Sequence, residues 1–151
     1  MQVTITPERP DTPDARALIA ELEAYLAPLY PPASQHGYSV EQLIAEGVAF
    51  FVIRANETSA GCGGLQVFAD DYGEIKRMYV RPQFRGLGFA KLMLEHLAEY
   101  ARSRGIGLLR LETGIYQDAA IGLYECVGFR SIPPFGKYQE DSLSRFYEKR
   151  L

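Results

Sequence analysis

Gly86 and Gly88 stand between a strand-like stretch, Glu74–Val80, and a helical one, Ala90–Arg102, with Arg85 beside them. A strand that feeds a helix through glycines builds an anion site. The first helical turn carries N–H groups without intrahelical partners, the helix dipole adds partial positive charge, and glycine lets a ligand approach the main chain. The Arg85 guanidinium suits phosphate oxygens. Two familiar phosphate motifs are excluded. No Lys-Ser/Thr pair follows the glycines as in a P-loop, and Lys91 stands where a dinucleotide fingerprint needs a third small residue.

Few other side chains could do chemistry. Tyr124 shares a helical face with Ala120, Leu123 and Val127, which turns its phenol inward, as a core tyrosine or as a proton donor. Cys62 and Cys126, the only cysteines, imply no disulfide framework and are expected to be small buried hydrophobes rather than nucleophiles. His36 and His96, the only histidines, lie at no ligand spacing from other donors, so no metal is expected.

The elements that must position these residues read as an α+β chain. A strand over Gln2–Thr6 precedes a helix with Thr12 as N-cap, Pro13 at its first position and an apolar stripe of Ala15, Leu18, Ile19, Leu22, Leu26 and Leu29, ended by Pro31-Pro32. Tyr30–Tyr38 is a loop, and a short helix starts at Ser39 with Gln42 completing a capping box. Three strands follow as an antiparallel meander over Val48–Arg54, Ala60–Ala69 and Glu74–Val80, with turns at Asn56–Ser59 and Asp70–Gly73. The long helix has Ala90, Met93, Leu94, Leu97, Tyr100 and Ala101 on one face and Lys91, Glu95, Glu99 and Arg102 on the other, and Gly105 stops it. A strand over Leu108–Thr113, a helix over Asp118–Val127 and a strand over Leu143–Arg150 complete the order β-α-α-β-β-β-α-β-α-β.

A chain of 151 residues, 47% of them hydrophobic, suits one domain over residues 1–151. A net charge of −3 without a basic block argues against a nucleic-acid partner. The longest apolar run, Val48–Ile53, is far too short to span a bilayer, and MQVTITPERPD lacks the layout of a signal peptide. A cytoplasmic protein with a small-molecule ligand and no membrane partner is expected, and a homodimer is compatible with the chain.

Gln83-x-x-Gly86-x-Gly88, preceded by Val80-Arg81-Pro82, resembles the pyrophosphate-binding motif of the GNAT superfamily of N-acetyltransferases. The stretch QDAAIGLYECVGF, Gln117–Phe129, resembles the family's closing signature, and the element order matches over nearly the whole chain. The resemblance implies acetyl-CoA as co-substrate, with its pyrophosphate on Arg85, Gly86, Leu87, Gly88, Phe89 and Ala90. It implies main-chain contacts to the cofactor from Met78, Tyr79 and Val80, on a strand that carries a bulge in family members, and a pantetheine contact from Gln117, where the family commonly has Asn. Tyr124 becomes the general acid for the departing thiolate, since a phenol is protonated at neutral pH. Glu74 falls where some members carry the carboxylate that deprotonates the amine, or else merely ends a turn; Glu112 is the competing carboxylate. The Tyr30–Tyr38 loop, Arg77, Glu112 and Phe135–Tyr138 would rim an acceptor site for a small or peptide amine. The activity implied is direct acetyl transfer to a primary amine in a ternary complex; the alternative is a non-catalytic acyl-CoA-binding regulatory domain of the same fold.

Overall fold

A computed structural model describes all residues, Met1–Leu151. The elements are β1 (Val3–Pro7), α1 (Pro13–Leu26), α2 (Val40–Ala45), β2 (Ala49–Ala55), β3 (Thr58–Phe68), β4 (Tyr72–Val80), α3 (Phe89–Ser103), β5 (Leu108–Gly114), α4 (Asp118–Cys126), β6 (Arg130–Ile132) and β7 (Ser144–Arg150). Both expected helix starts are present: the Thr12 hydroxyl accepts from Ala15 N–H, and Ser39 and Gln42 form the capping box. α1 stops earlier than its apolar stripe suggests. Pro28 lies just past its end, so the helix closes at Leu26 rather than at Pro31-Pro32.

The seven strands form one sheet in the order β1-β2-β3-β4-β5-β7-β6. All neighbours are antiparallel except β4 and β5. Strand β6 was not expected. Three residues with an exposed-exposed-intermediate pattern carry no alternation to read, and pairing with β7 alone makes them a strand. Both hairpin turns are tighter than their composition indicates: Asn56 and Glu57 alone turn β2 into β3 with φ of 48° and 72°, and Tyr72 and Gly73 already belong to β4.

Side-chain alternation sends the sheet's two faces into two cores. On β2, Phe51, Ile53 and Ala55 join the cluster under α3 and α4, while Phe50 and Val52 join the cluster under α1 and α2. The α3 stripe fills the first with Met93, Leu94, Leu97 and Ala101. Leu18, Ile19 and Leu43 fill the second. β4 breaks the alternation. Cys62 pairs with Tyr79 and Gly64 with Lys76, so Arg77 and Met78 together face the single residue Gly63. Arg77 takes φ of 53° at this bulge, a conformation that costs a non-glycine residue roughly 1–2 kcal/mol. The bulge resets the faces: Ile75 and, three residues on, Met78 pack into the α3 core, and Tyr79 packs into the α1 core.

Candidate active site

β4 and β5 pair only through Gly73↔Leu109 and Glu74↔Arg110, although each strand runs several residues further. Beyond that point they splay. The edge of β4 that faces β5 therefore keeps unpaired N–H and C=O groups, a row ready for an extended ligand. Arg85 Nε already donates to one of these carbonyls, Val80 O, at 3.0 Å.

Two clefts open on the splay. One, of about 440 Å³, runs along Met78, Tyr79, Val80, Phe84, Arg85, Gly86, Gly88, Phe89 and Ala90 to α4. Its far end is the predicted anion site. Gly86 and Gly88 hold φ of 79° and 83°, which a side chain would resist, and Gly88 caps α3 without a side-chain hydrogen bond. The main-chain N–H groups from Gly86 to Lys91 find no acceptor in the protein. Arg85 differs from the expectation in one respect: its own N–H donates to Pro82 O, so the residue contributes its guanidinium instead. The Leu87 side chain lies half exposed outside the cleft, while Lys91, read from sequence as part of a solvated stripe, lines it.

The second cleft, of about 420 Å³, lies between the Tyr30–Tyr38 loop and the ends of β4 and β5. Glu74, Lys76, Arg77, Glu112 and Tyr138 line it. Phe135, expected at the rim, is instead buried against Tyr72 and Phe146. Leu22, Met78, Gln117, Ala120 and Tyr124 belong to both clefts, so the two meet there.

Tyr124 is the single buried residue of α4. Its hydroxyl has no hydrogen-bond partner within the protein and faces the junction. Burial, then the charge of Glu112, raises its pKa, so the phenol stays protonated. Gln117, at the junction's other side, accepts a hydrogen bond from Tyr30 OH at 3.0 Å, and the same oxygen of Tyr30 accepts from Tyr116 N–H. This bridge ties the end of α1 to the β5–α4 turn.

The two carboxylates differ in their partners. Glu74 is buried, and its Oε2 accepts from Lys76 Nζ at 2.8 Å and Tyr138 OH at 2.6 Å. Lys76 in turn lies 4.0 Å from the centre of the Tyr38 ring. Glu112 has no cation bonded to it. Its Oε2 accepts from Ser144 Oγ at 2.8 Å, and burial raises its pKa above the ordinary carboxylate value against the pull of that hydrogen bond. Above the cleft, His36 Nε2 lies 3.0 Å from Asp141 Oδ2 and Ser34 donates to Oδ1, closing an arch from the α1–α2 loop to the β6–β7 segment.

Lys76, Ser144 and Asp141 were not expected at the site, and His36 was expected only as part of the rim loop. Lys76 follows Glu74 by two on one strand face, a signal that was available; the others depend on long-range pairing. The cysteines divide: Cys62 is buried, with its thiol pushed up to about 12, whereas Cys126 is exposed, contrary to expectation.

A helix N-terminus with free N–H groups, a strand edge left open by a splay, and a second cleft meeting the first at a tyrosine make an arrangement suited to a transferase that holds an anionic carrier in one cleft and an acceptor in the other. The model of the Acetyltransferase (GNAT) family matches residues 15–129, and the chain belongs to that family. It is 41% identical over 150 residues to the IAA acetyltransferase of Azospirillum brasilense, covering 99% of this chain and 98% of that one. The crystal structure of a Klebsiella pneumoniae protein assigned as an acyl-CoA N-acyltransferase superposes with a TM-score of 0.85 at 36% identity, over 99% and 98% of the two chains. The PaiA N-acetyltransferase of Thermoplasma acidophilum in complex with coenzyme A shares the fold, with a TM-score of 0.80 at 20% identity over the whole of both chains. The chain is an acyl-CoA-dependent acetyltransferase. No helix is long and apolar enough to cross a membrane.

Proposed function

We propose that the protein transfers the acetyl group of acetyl-CoA directly to a primary amine, with both substrates bound at once in the two clefts. The observation that carries this reading is the meeting of the clefts at Tyr124, whose free hydroxyl favours turnover over a non-catalytic acyl-CoA sensor. The pyrophosphate sits on the Gly86–Lys91 N–H groups and the Arg85 guanidinium. The pantetheine arm runs along the open edge of β4 towards Gln117.

An amine attacks only when neutral. Of the two carboxylates in the acceptor cleft, Glu112 suits the proton better than Glu74, the residue expected from sequence. Burial raises Glu112 towards the amine's range, whereas Glu74 Oε2 is engaged by Lys76 and Tyr138. Glu112 takes a proton from the ammonium, the nitrogen bonds to the thioester carbon, the carbon–sulfur bond breaks, and Tyr124 donates its proton as charge develops on sulfur. Two protons leave nitrogen between ammonium and amide: Glu112 passes the first to solvent, and the second, lost as the amide forms, restores the Tyr124 phenol that has given its own proton to sulfur. Glu74 holds Lys76 and Tyr138 as the cleft floor.

The test is thiol release from acetyl-CoA across a panel of primary amines, with Glu112→Gln and Glu74→Gln. In wild type the ascending limb of turnover against pH lies above the ordinary carboxylate range. Glu112→Gln should lower turnover at neutral pH by about 100-fold, with recovery at high pH where the amine arrives neutral. Glu74→Gln leaves the buried Lys76 without its counter-charge and should cost about 3–5 kcal/mol of stability, read by denaturant unfolding. A folded Glu74→Gln variant that loses turnover beside a Glu112→Gln variant that keeps it would exchange the two roles.

A further inference from the structure

Arg77 is a buried charge whose counter-ion lies at the surface. Its side chain is only 6% exposed, yet its single carboxylate partner, Glu23, is 53% exposed on the surface of α1 and meets one nitrogen only, Nη2. Nε donates to the Tyr38 carbonyl oxygen at 2.7 Å. Nη1 has no acceptor in the protein and is not sealed off from solvent, and Arg77 lines the acceptor cleft. Burial lowers its pKa more than Glu23 restores it.

Two further observations mark the guanidinium as placed there for a purpose. The residue holds φ of 53° at the β4 bulge, where glycine would be relaxed and arginine is not. Across the cleft wall, Gly37 leaves the guanidinium its space: a Cβ on Gly37 would collide with Nη1. A purely structural clamp on the Tyr38 carbonyl needs neither an open Nη1 nor an exchangeable, half-exposed counter-ion.

Of the other charges of the cleft, the cation is matched and the second carboxylate is not. Lys76 spends its ammonium on Glu74, Tyr138 and the Tyr38 ring. Glu112 has only the Ser144 hydroxyl. The cleft thus presents one carboxylate without a bonded cation and one guanidinium with a replaceable anion, a pair complementary to a zwitterion.

We propose that Arg77 anchors a carboxylate carried by the acceptor, so that the substrate class is amino acids and other amines bearing a carboxylate, held with the ammonium towards Glu112 and the carboxylate on Arg77 in place of Glu23. The proposal rests on acetyl transfer to an amine in this cleft. Planar bidentate capture is what a guanidinium does for a carboxylate and what an ammonium does not.

The experiment compares the free amino acids with their primary amides as acceptors, reading thiol release from acetyl-CoA with wild type, Arg77→Gln and Glu23→Gln. In wild type at least one amino acid exceeds its amide in kcat/KM by about tenfold or more. Arg77→Gln, shown folded by circular dichroism, raises KM for that acid and brings the ratio near one, while KM for acetyl-CoA stays in place. Glu23→Gln removes the competing anion at an exposed site and lowers KM for the acid but not for the amide, an effect that loss of a structural contact would not produce. Each ratio is compared between proteins on one substrate pair, so the difference in basicity between acid and amide cancels. Thiol release indifferent to the carboxylate, or a Glu23→Gln variant with a higher KM for the acid, overturns the anchor alone. No thiol release from any amine overturns the acetyl-transfer reading, and the anchor with it.

Discussion

Tyr124 combines a buried ring with an unbonded hydroxyl. It is inward-facing because α4 places it with Ala120 and Leu123, and its hydroxyl is free because nothing in the protein bonds it. Tyr124→Phe keeps the ring's contacts, including the edge-on packing against Phe129 at 5.6 Å, and removes only the proton. Turnover should fall about 100-fold with unchanged affinity for acetyl-CoA, measured by steady-state thiol release and calorimetry on the same preparation. A variant as fast as wild type would return Tyr124 to the core. The helical spacing made this residue legible. The choice between Glu74 and Glu112 was not legible, because Ser144 and Tyr138, which distinguish them, arrive from sequence positions far along the chain.

At the scale of elements, the turn into α3 and the bulge in β4 build the site. At Gly86 a Cβ would meet nothing within 4 Å, so the glycine is required by its φ of 79° rather than by crowding. Gly86→Val puts a β-branched residue where the left-handed region costs it roughly 1–2 kcal/mol or more, and the loop escapes by turning its N–H groups away from their common focus. Acetyl-CoA affinity should drop at least about tenfold, as the charge-assisted hydrogen bonds are lost. Titration calorimetry giving wild-type affinity would place the pyrophosphate elsewhere. The glycine pair was readable because two conformationally special residues at a strand–helix junction are a local signal. The bulge residue was not readable from its own type, since arginine at a positive φ is imposed by the count of residues opposite it on β3.

The whole molecule is one sheet with an apolar core on each face. Leu18 and Leu97 are fully buried in different cores, under α1 and α3 respectively. Leu18→Ala and Leu97→Ala should each cost about 2–5 kcal/mol in urea unfolding. Because the sheet separates their neighbours, the double variant should equal their sum within about 0.5 kcal/mol. A larger departure would mean that the cores yield together through the sheet. Tyr30, beyond the end of α1, bonds Gln117 at the start of α4 on the side where the sheet is splayed, and Gln117 lines both clefts.

The amino-acid sequence by itself determined the order of all elements but β6, the glycine turn at the start of α3, the inward tyrosine of α4 and the helix caps. Each of these is written in residues within a turn or two of one another, where spacing converts directly to direction. The fold alone decided strand β6, the splay between β4 and β5, the Lys76 and Ser144 partners that separate two similar carboxylates, and the burial of the Arg77 guanidinium beside an exposed counter-ion. These depend on which distant strands become neighbours and on what fills the space between them. A side chain's burial and partners are properties of that assembled neighbourhood, not of the residue or its spacing.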